Sequence, residues 1–273
     1  MSALTFALKT GAGSEAAADI DCSGLTADAL AGLSATDIAA LPILVGGRAS
    51  RVGDVFEVSG ADAAQIVFKG TNARCHRIGA GATVGSIRVE GDAGDHLGLQ
   101  LKGGEITVTG NAGDFVACEM KKGRIVVQGN VGDCAGAPLP GNKKGMSGGM
   151  LVVHGNAGER LADQLRRGQI LVAGNAGAYA ASRMIAGTVL VLGSLGAHCG
   201  HAMRRGSLIV RQRPALPATF ADCGTHTLAF LPLLMASWKD AGAPFAALPV
   251  NPRAQRWMGD TGNGGKAEVL LWA

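Results

Sequence analysis

Between Gly85 and Arg211 the chain writes one short motif seven times, and that repetition limits the folds open to it more than any other feature. A glycine is followed by alternating apolar residues and then by Gly-Asn-x-Gly or a close variant. The copies are GSIRVEGDAG from Gly85, GEITVTGNAG from Gly104, GRIVVQGNVG from Gly123, GMLVVHGNAG from Gly149, GQILVAGNAG from Gly168, GTVLVLGSLG from Gly187 and a last GSLIVR from Gly206. The opening glycines stand 19 residues apart at every step but one; 26 residues separate Gly123 from Gly149, so that step carries a seven-residue insertion. A unit this small cannot bury its own apolar face and must stack on copies of itself, which is the signature of a solenoid.

The unit reads as strand. Motif positions 3 and 5 hold Ile87 and Val89, Ile106 and Val108, Ile125 and Val127, Leu151 and Val153, Ile170 and Val172, Val189 and Val191, Leu208 and Val210. This period-two, β-branched pattern puts those side chains on one buried face. Glycines at positions 7 and 10 suit sharp corners. Between them, Asp92, Asn111, Asn130, Asn156, Asn175 and Ser194 would form a side-chain ladder along one edge if units stack at the ~4.8 Å strand spacing. Position 14 is always Gly or Ala, and position 17 always Leu or Met; Met146 joins that column only if the insertion loops out. The expected fold is mainly β: a single-stranded, right-handed parallel β-helix of about seven 19-residue coils with small α/β caps at both ends. Residues 1–62 would hold an N-terminal strand, short helices and a cap, 63–212 the β-helix, and 213–273 a C-terminal helix and cap.

The flanks carry their own signals. Leu4 to Leu8 reads as a strand, and two helix starts follow, Thr26 before Asp28 and Ser34 with Asp37 as a capping box. Gly53–Gly60 and Ala64–Gly70 look like degenerate coils that close the N-terminal end of the stack. Outward position 4 turns apolar along the chain, at Val126, Val152, Leu171, Leu190 and Ile209. Such a stripe is seldom left wet, and two covers fit it: a C-terminal helix over Leu231–Lys239, or the surface of a partner. Glu268–Trp272 is expected to close the chain as a strand.

Six scattered cysteines without a CxxC pair fit reduced thiols rather than a zinc knuckle or a disulfide framework. The N-terminus lacks a basic-then-apolar signal pattern, and Leu228–Ala236 is too short to span a bilayer, so a cytoplasmic protein is expected. A net charge of +4 does not by itself imply nucleic acid.

No nucleophile triad, phosphate loop or metal-ligand spacing can be read, so neither a catalytic residue nor a metal ligand is assigned. His198-Cys199-Gly200-His201 is better read as a corner than as a ligand set. Asp95, Asp114, Asp133 and Glu159 share position 11 and read as a solvated edge, neutralised by Asn or Arg, rather than as an acid–base pair. The basic residues are more informative. Lys102, Lys121, Lys122, Arg166, Arg167, Arg204 and Arg205 fall at positions 18 and 19, and Lys143 and Lys144 lie in the insertion. Such a row either attracts a polyanion or an acidic partner surface, or is a solvated edge that blunts aggregation.

The repeated coils, GMSGGM at Gly145–Met150 and RWMGDTGNGGKAEVLL from Arg256 to Leu271 together resemble the C subunit of formylmethanofuran dehydrogenase and of its bacterial relative, the formyltransferase/hydrolase complex. The coils alone are also similar to the C-terminal domain of the glutamate synthase large subunit; the closing segment tips the choice. One departure is Ala267, where relatives are expected to carry glycine. The resemblance implies a non-catalytic scaffold in a multi-subunit complex that handles formyl groups on a methanofuran-type coenzyme. The partners would be the other three chains of that complex, a metallohydrolase-like A chain, a B chain and a formyltransferase D chain, with catalytic metals confined to those partners. Because such coenzymes bear oligoglutamate tails, Lys121, Lys122, Lys143, Lys144, Arg166, Arg167, Arg204 and Arg205 become candidate contacts for the tail or for an acidic neighbour. An Ala- and Arg-rich composition favours the bacterial complex over a tungsten or molybdenum dehydrogenase.

Overall fold

In a computed structural model, which describes residues 2–9, 18–248, 250–251 and 253–272, the chain is mainly β and is dominated by one 13-stranded, largely parallel sheet. The N-terminal part supplies β1 (Ala3–Leu8), β2 (Ile20–Asp21), α1 (Ala27–Leu30), α2 (Ala35–Ala40), β3 (Pro42–Val45), β4 (Arg48–Arg51), α3 (Val52–Val55) and β5 (Phe56–Ser59). Next come β6 (Asp62–Thr71) and β7 (Cys75–His76). The Ser34 capping box forms as expected, Asp37 N–H donating to Ser34 Oγ at 3.1 Å and Ser34 N–H to Asp37 Oδ2 at 3.2 Å. Thr26 precedes α1 without a side-chain cap.

Gly53–Gly60 does not form a coil-like strand. Asp54 accepts the Arg51 N–H at 3.1 Å, which turns Val52–Val55 into a single helical turn, and β5 then runs antiparallel to β1. Ala64–Gly70 does behave as a repeat: in β6, Ile66 lies opposite Ile87 and Phe68 opposite Val89 of the next strand. Phe6, Phe56 and Phe68 pack ring against ring, with centroids 5.1–6.0 Å apart, and are fully buried at this end of the stack.

The repeats supply β8 (Ser86–Gly91), β9 (Glu105–Val108), β10 (Arg124–Val127), β11 (Ser147–Val153), β12 (Arg167–Val172), β13 (Thr188–Val191) and β14 (Arg205–Val210). Each pairs in parallel with the next in motif register, so Ile87, Ile106, Ile125, Leu151, Ile170, Val189 and Leu208 form one buried column. A second line of parallel bridges joins Ala93, Ala112, Val131, Ala157, Ala176 and Leu195. The insertion leaves the register intact. Ser147 N–H bonds to the Met120 carbonyl at 2.7 Å, and Met146 is buried in the column of Met120 and Leu165. Position 14 must be small because it faces the inner column: a Cβ on Gly136 would lie 2.5 Å from Ile170 Cδ1.

The outer stripe is covered by the chain itself. Val152, Leu171, Leu190 and Ile209 have no exposed surface; with Val126, and with Leu270 set beside Ile209 by strand pairing, they pack in one cluster with Leu231, Met235, Trp238, Ala241, Phe245 and Trp272. Each such side chain taken out of water contributes roughly 1.5–3 kcal/mol. The covering helix α4 spans Phe230–Ala236, shorter than expected, and a turn of 3-10 helix follows at Lys239–Ala241. Two polar bonds fix this lid: Trp238 Nε1–H donates to Gln169 Oε1 at 2.7 Å, and the Arg124 guanidinium donates to the Asp240 carbonyl at 2.5 Å. Before α4 lies β15 (Ala221–Thr227); after it come β16 (Arg253–Gly259) and β17 (Lys266–Trp272). β17 pairs in parallel with β14, and β16 and β15 add on antiparallel to end the sheet.

Candidate functional site: a cationic edge

Backbone bonds order the basic residues into a column. The N–H of Lys102, Lys121, Ser147, Arg166, Ile185 and Arg204 donates to the carbonyl of Ala82, Leu101, Met120, Met146, Leu165 and Met184 respectively, so these positions lie one repeat above another. Ser147 and Ile185 therefore interrupt the row, and the charges arrive at Lys102, Lys121 with Lys122, Arg166 with Arg167, and Arg204 with Arg205. All seven side chains are exposed. Sequence reasoning missed the last member. Strand β17 places Lys266 opposite Arg205, so the lysine of the closing motif extends the row by one step. At ~4.8 Å per step the column runs for roughly 30 Å.

Among the described residues, none of these cations lies within ion-pair distance of a carboxylate. The carboxylates on the adjoining strands are engaged elsewhere: Glu105 with Arg124 at 3.7 Å, and Glu268 with Arg256 at 2.9 Å. Lys143 and Lys144 sit, exposed, at the end of the insertion, and the loop that carries them is pinned. Glu119 accepts the Leu139 N–H at 3.1 Å, Asn142 Nδ2 at 2.5 Å and Gln100 Nε2 at 2.8 Å. Partial burial pushes its carboxyl pKa up, but these three donors outweigh that and hold it below the ordinary glutamate value.

The other candidates serve the backbone. Asp95, Asp114 and Asp133 each accept, through Oδ1, the N–H of the position-11 residue in the following repeat, at 2.7–2.9 Å. His76 Nδ1 starts the line by accepting Asp95 N–H at 2.9 Å. The expected neutralisation by Asn or Arg is thus replaced by backbone donors. The position-8 ladder forms as expected, from Asp92 through Asn111, Asn130, Asn156 and Asn175 to Ser194, with N–H···Oδ1 distances of 2.7–2.8 Å. His198 stacks on Tyr179, and Cys199 is buried with its thiol toward the Ala215 carbonyl. Burial raises the Cys199 thiol to about 11 and the Cys118 thiol to about 12. Among the described residues no group of three or more His, Cys, Asp or Glu side chains is arranged to hold a metal ion, and no helix is long and apolar enough to cross a membrane.

The closing motif is a structural clasp. Gly259 lies where a Cβ would strike the Phe220 ring, Asp260 caps the turn by accepting Gly262 N–H at 3.1 Å, and Ala267 is fully buried opposite Gly206.

The family profile described as the GXGXG motif matches residues 70–222. The curated C subunit of the formyltransferase/hydrolase complex Fhc of Methylorubrum extorquens is 44% identical over 78 residues, an alignment spanning 29% of this chain and 29% of that protein. A chain in the crystal structure of the formyltransferase/hydrolase complex (FhcABCD) from Methylorubrum extorquens with methylofuran is 43% identical; the match covers 98% of this chain and 99% of that one, with a TM-score of 0.90. The chain belongs to the GXGXG family, in the group formed by the C subunit of the formyltransferase/hydrolase complex.

Proposed function

We propose that this chain is the scaffold of a cytoplasmic formyltransferase/hydrolase complex, assembled with the A, B and D chains of that complex. The complex would move a formyl group from a pterin carrier to a methanofuran-type carrier and hydrolyse it, water supplying the hydroxyl of the released formate. In this reading the reacting groups and metals belong to the partners, and this chain contributes a rigid wall. Its repeats wind as a single-stranded, right-handed parallel β-helix over 63–212, between an N-terminal cap (1–62) and a C-terminal cap (213–273). The observation that carries the reading is the 43% identity to a chain of the FhcABCD structure over 98% of this sequence.

The cationic edge is where that wall meets negative charge. Lys121, Lys122, Lys143, Lys144, Arg166, Arg167, Arg204, Arg205 and Lys266 would face either the oligoglutamate tail of the coenzyme or an acidic surface of a neighbouring chain. Unpaired cations aligned in one direction favour a polyanion over scattered carboxylates. The test is affinity purification of the tagged chain from its native cell, with Arg166→Glu and Arg167→Glu made together. The reading expects co-purifying partners with formyl-transfer activity in the wild-type eluate, and weaker association or weaker carrier use, eased by salt, for the double variant. Recovery of the chain without companions would overturn it. Unchanged association and carrier use would assign the edge to solvation alone.

A further inference from the structure

A different edge of the stack carries a column of planar side chains. Position 12 holds Arg77, His96, Phe115, Cys134, Arg160, Tyr179 and His198, and each of the first six donates its N–H to the carbonyl of position 11 in the following repeat. All seven have left-handed backbone, with φ of 56–62°, a conformation that favours glycine. A chain with 43 glycines places none of them here. His96 stacks on Phe115 with centroids 5.1 Å apart and planes 5° apart; Tyr179 stacks on His198 at 4.9 Å; the Arg160 guanidinium lies 5.1 Å from the Tyr179 centroid. The column thus fills one planar group per repeat, at about the strand spacing.

Cys134 breaks it. Its short side chain stands between Phe115 and Arg160, which are two repeats apart, roughly 10 Å along the stack. A planar group entering above the thiol would sit about one repeat from each neighbour, the spacing the column's own rings adopt. The flanks select its chemistry. Phe115 offers a ring face, and the Arg160 guanidinium, 3.9 Å from the Asp163 carboxylate, offers a planar cation, so an aromatic ring gains from both. The slot is shallow, with Phe115 and Cys134 only half-buried, and it would cover too little of a free small molecule to hold it. An aromatic side chain carried by a protein surface does not face that limit, because the rest of the interface supplies the burial.

We propose that the gap at Cys134 receives an aromatic side chain of a partner protein in the complex, completing the column between Phe115 and Arg160. This rests on the reading that the chain works within a complex. The test compares the wild-type chain with Cys134→Trp, which fills the slot from within, and Cys134→Ala, which leaves it open. Each is co-expressed with the other chains of the complex and scored for assembly, and thiol alkylation of the assembled and free wild-type chain is mapped by peptide mass spectrometry. The proposal expects Cys134 to be alkylated in the free chain and protected in the complex, Cys134→Ala to assemble like wild type, and Cys134→Trp to assemble about tenfold or more weaker with an unchanged melting temperature. Should Cys134→Trp fail to fold, the alkylation comparison decides. Equal labelling in both states, or full assembly of folded Cys134→Trp, overturns the slot and leaves the scaffold reading intact. A wild-type chain that does not assemble at all overturns both.

Discussion

Replacing Trp238 by alanine removes the centre of the lid over the outer stripe. Trp238 has no exposed surface, it lies against the Val126–Ile209 stripe, and its indole N–H is the 2.7 Å donor to Gln169. Truncating a fully buried tryptophan costs about 3–5 kcal/mol. The loss of its hydrogen bond falls within that range, because Gln169 is only half-buried and water reaches its freed oxygen. For a chain of this size the penalty corresponds to a fall in melting temperature of roughly 6–20 °C. The assay is urea unfolding of the purified chain without companions, with the midpoint read by tryptophan fluorescence from Trp257 and Trp272 and by circular dichroism. An exposed aromatic would instead cost within about 0.5 kcal/mol. A shift that small in the isolated chain would refute the assignment of the lid to this chain and return the stripe to a partner.

Two further predictions concern the stack and its loop. Val127→Asp places a carboxylate at a position with no exposed surface, at a cost of several kcal/mol, while Gln128→Asp, on the exposed next residue, leaves the unfolding midpoint near wild type; a folded Val127→Asp chain at pH 7 contradicts the strand parity. Glu119→Ala frees the insertion, so limited proteolysis around Pro138–Lys144 accelerates without a matching loss of global stability. Because the Glu119 carboxyl is depressed in the folded chain, its hold on the loop is present above the ordinary glutamate value of about 4.3 and is lost as pH falls through the lower folded value. Cleavage by an acid-active protease should therefore rise at the bottom of that window in wild type and stay level in the variant.

Much of this architecture was legible because the repeat writes each structural requirement seven times. Residues Ile87 to Val210 at positions 3 and 5 declare their face by alternation, and Gly or Ala at position 14 declares a close approach. The asparagine ladder was legible for the same reason, since one residue type recurs where backbone donors need acceptors. Elements present once were harder. Gly53–Gly60 carries the alternation of a strand, yet Asp54, accepting from Arg51 N–H and Ser50 Oγ, makes its first residues a helical turn and leaves only Phe56–Ser59 as strand. The role of Asp95, Asp114 and Asp133 was hidden because sequence shows a column of charge but not the N–H that each carboxylate meets. Lys266 escaped the basic row because the strand that places it there is remote in sequence, and only pairing with β14 reveals their common edge.

Strand β17 has a consequence for how the molecule comes into being. The stripe from Val126 to Ile209 stays wet during synthesis until α4 has emerged, and the ledge left by Leu208–Val210 stays open until Lys266–Trp272 has followed. A ribosome carrying the nascent chain therefore holds, for the time it takes to make that interval, a parallel sheet with a sticky edge and a greasy flank. The clasp motif is both a wall and a stopper, and companions recruited before its arrival would meet a different object from those recruited after.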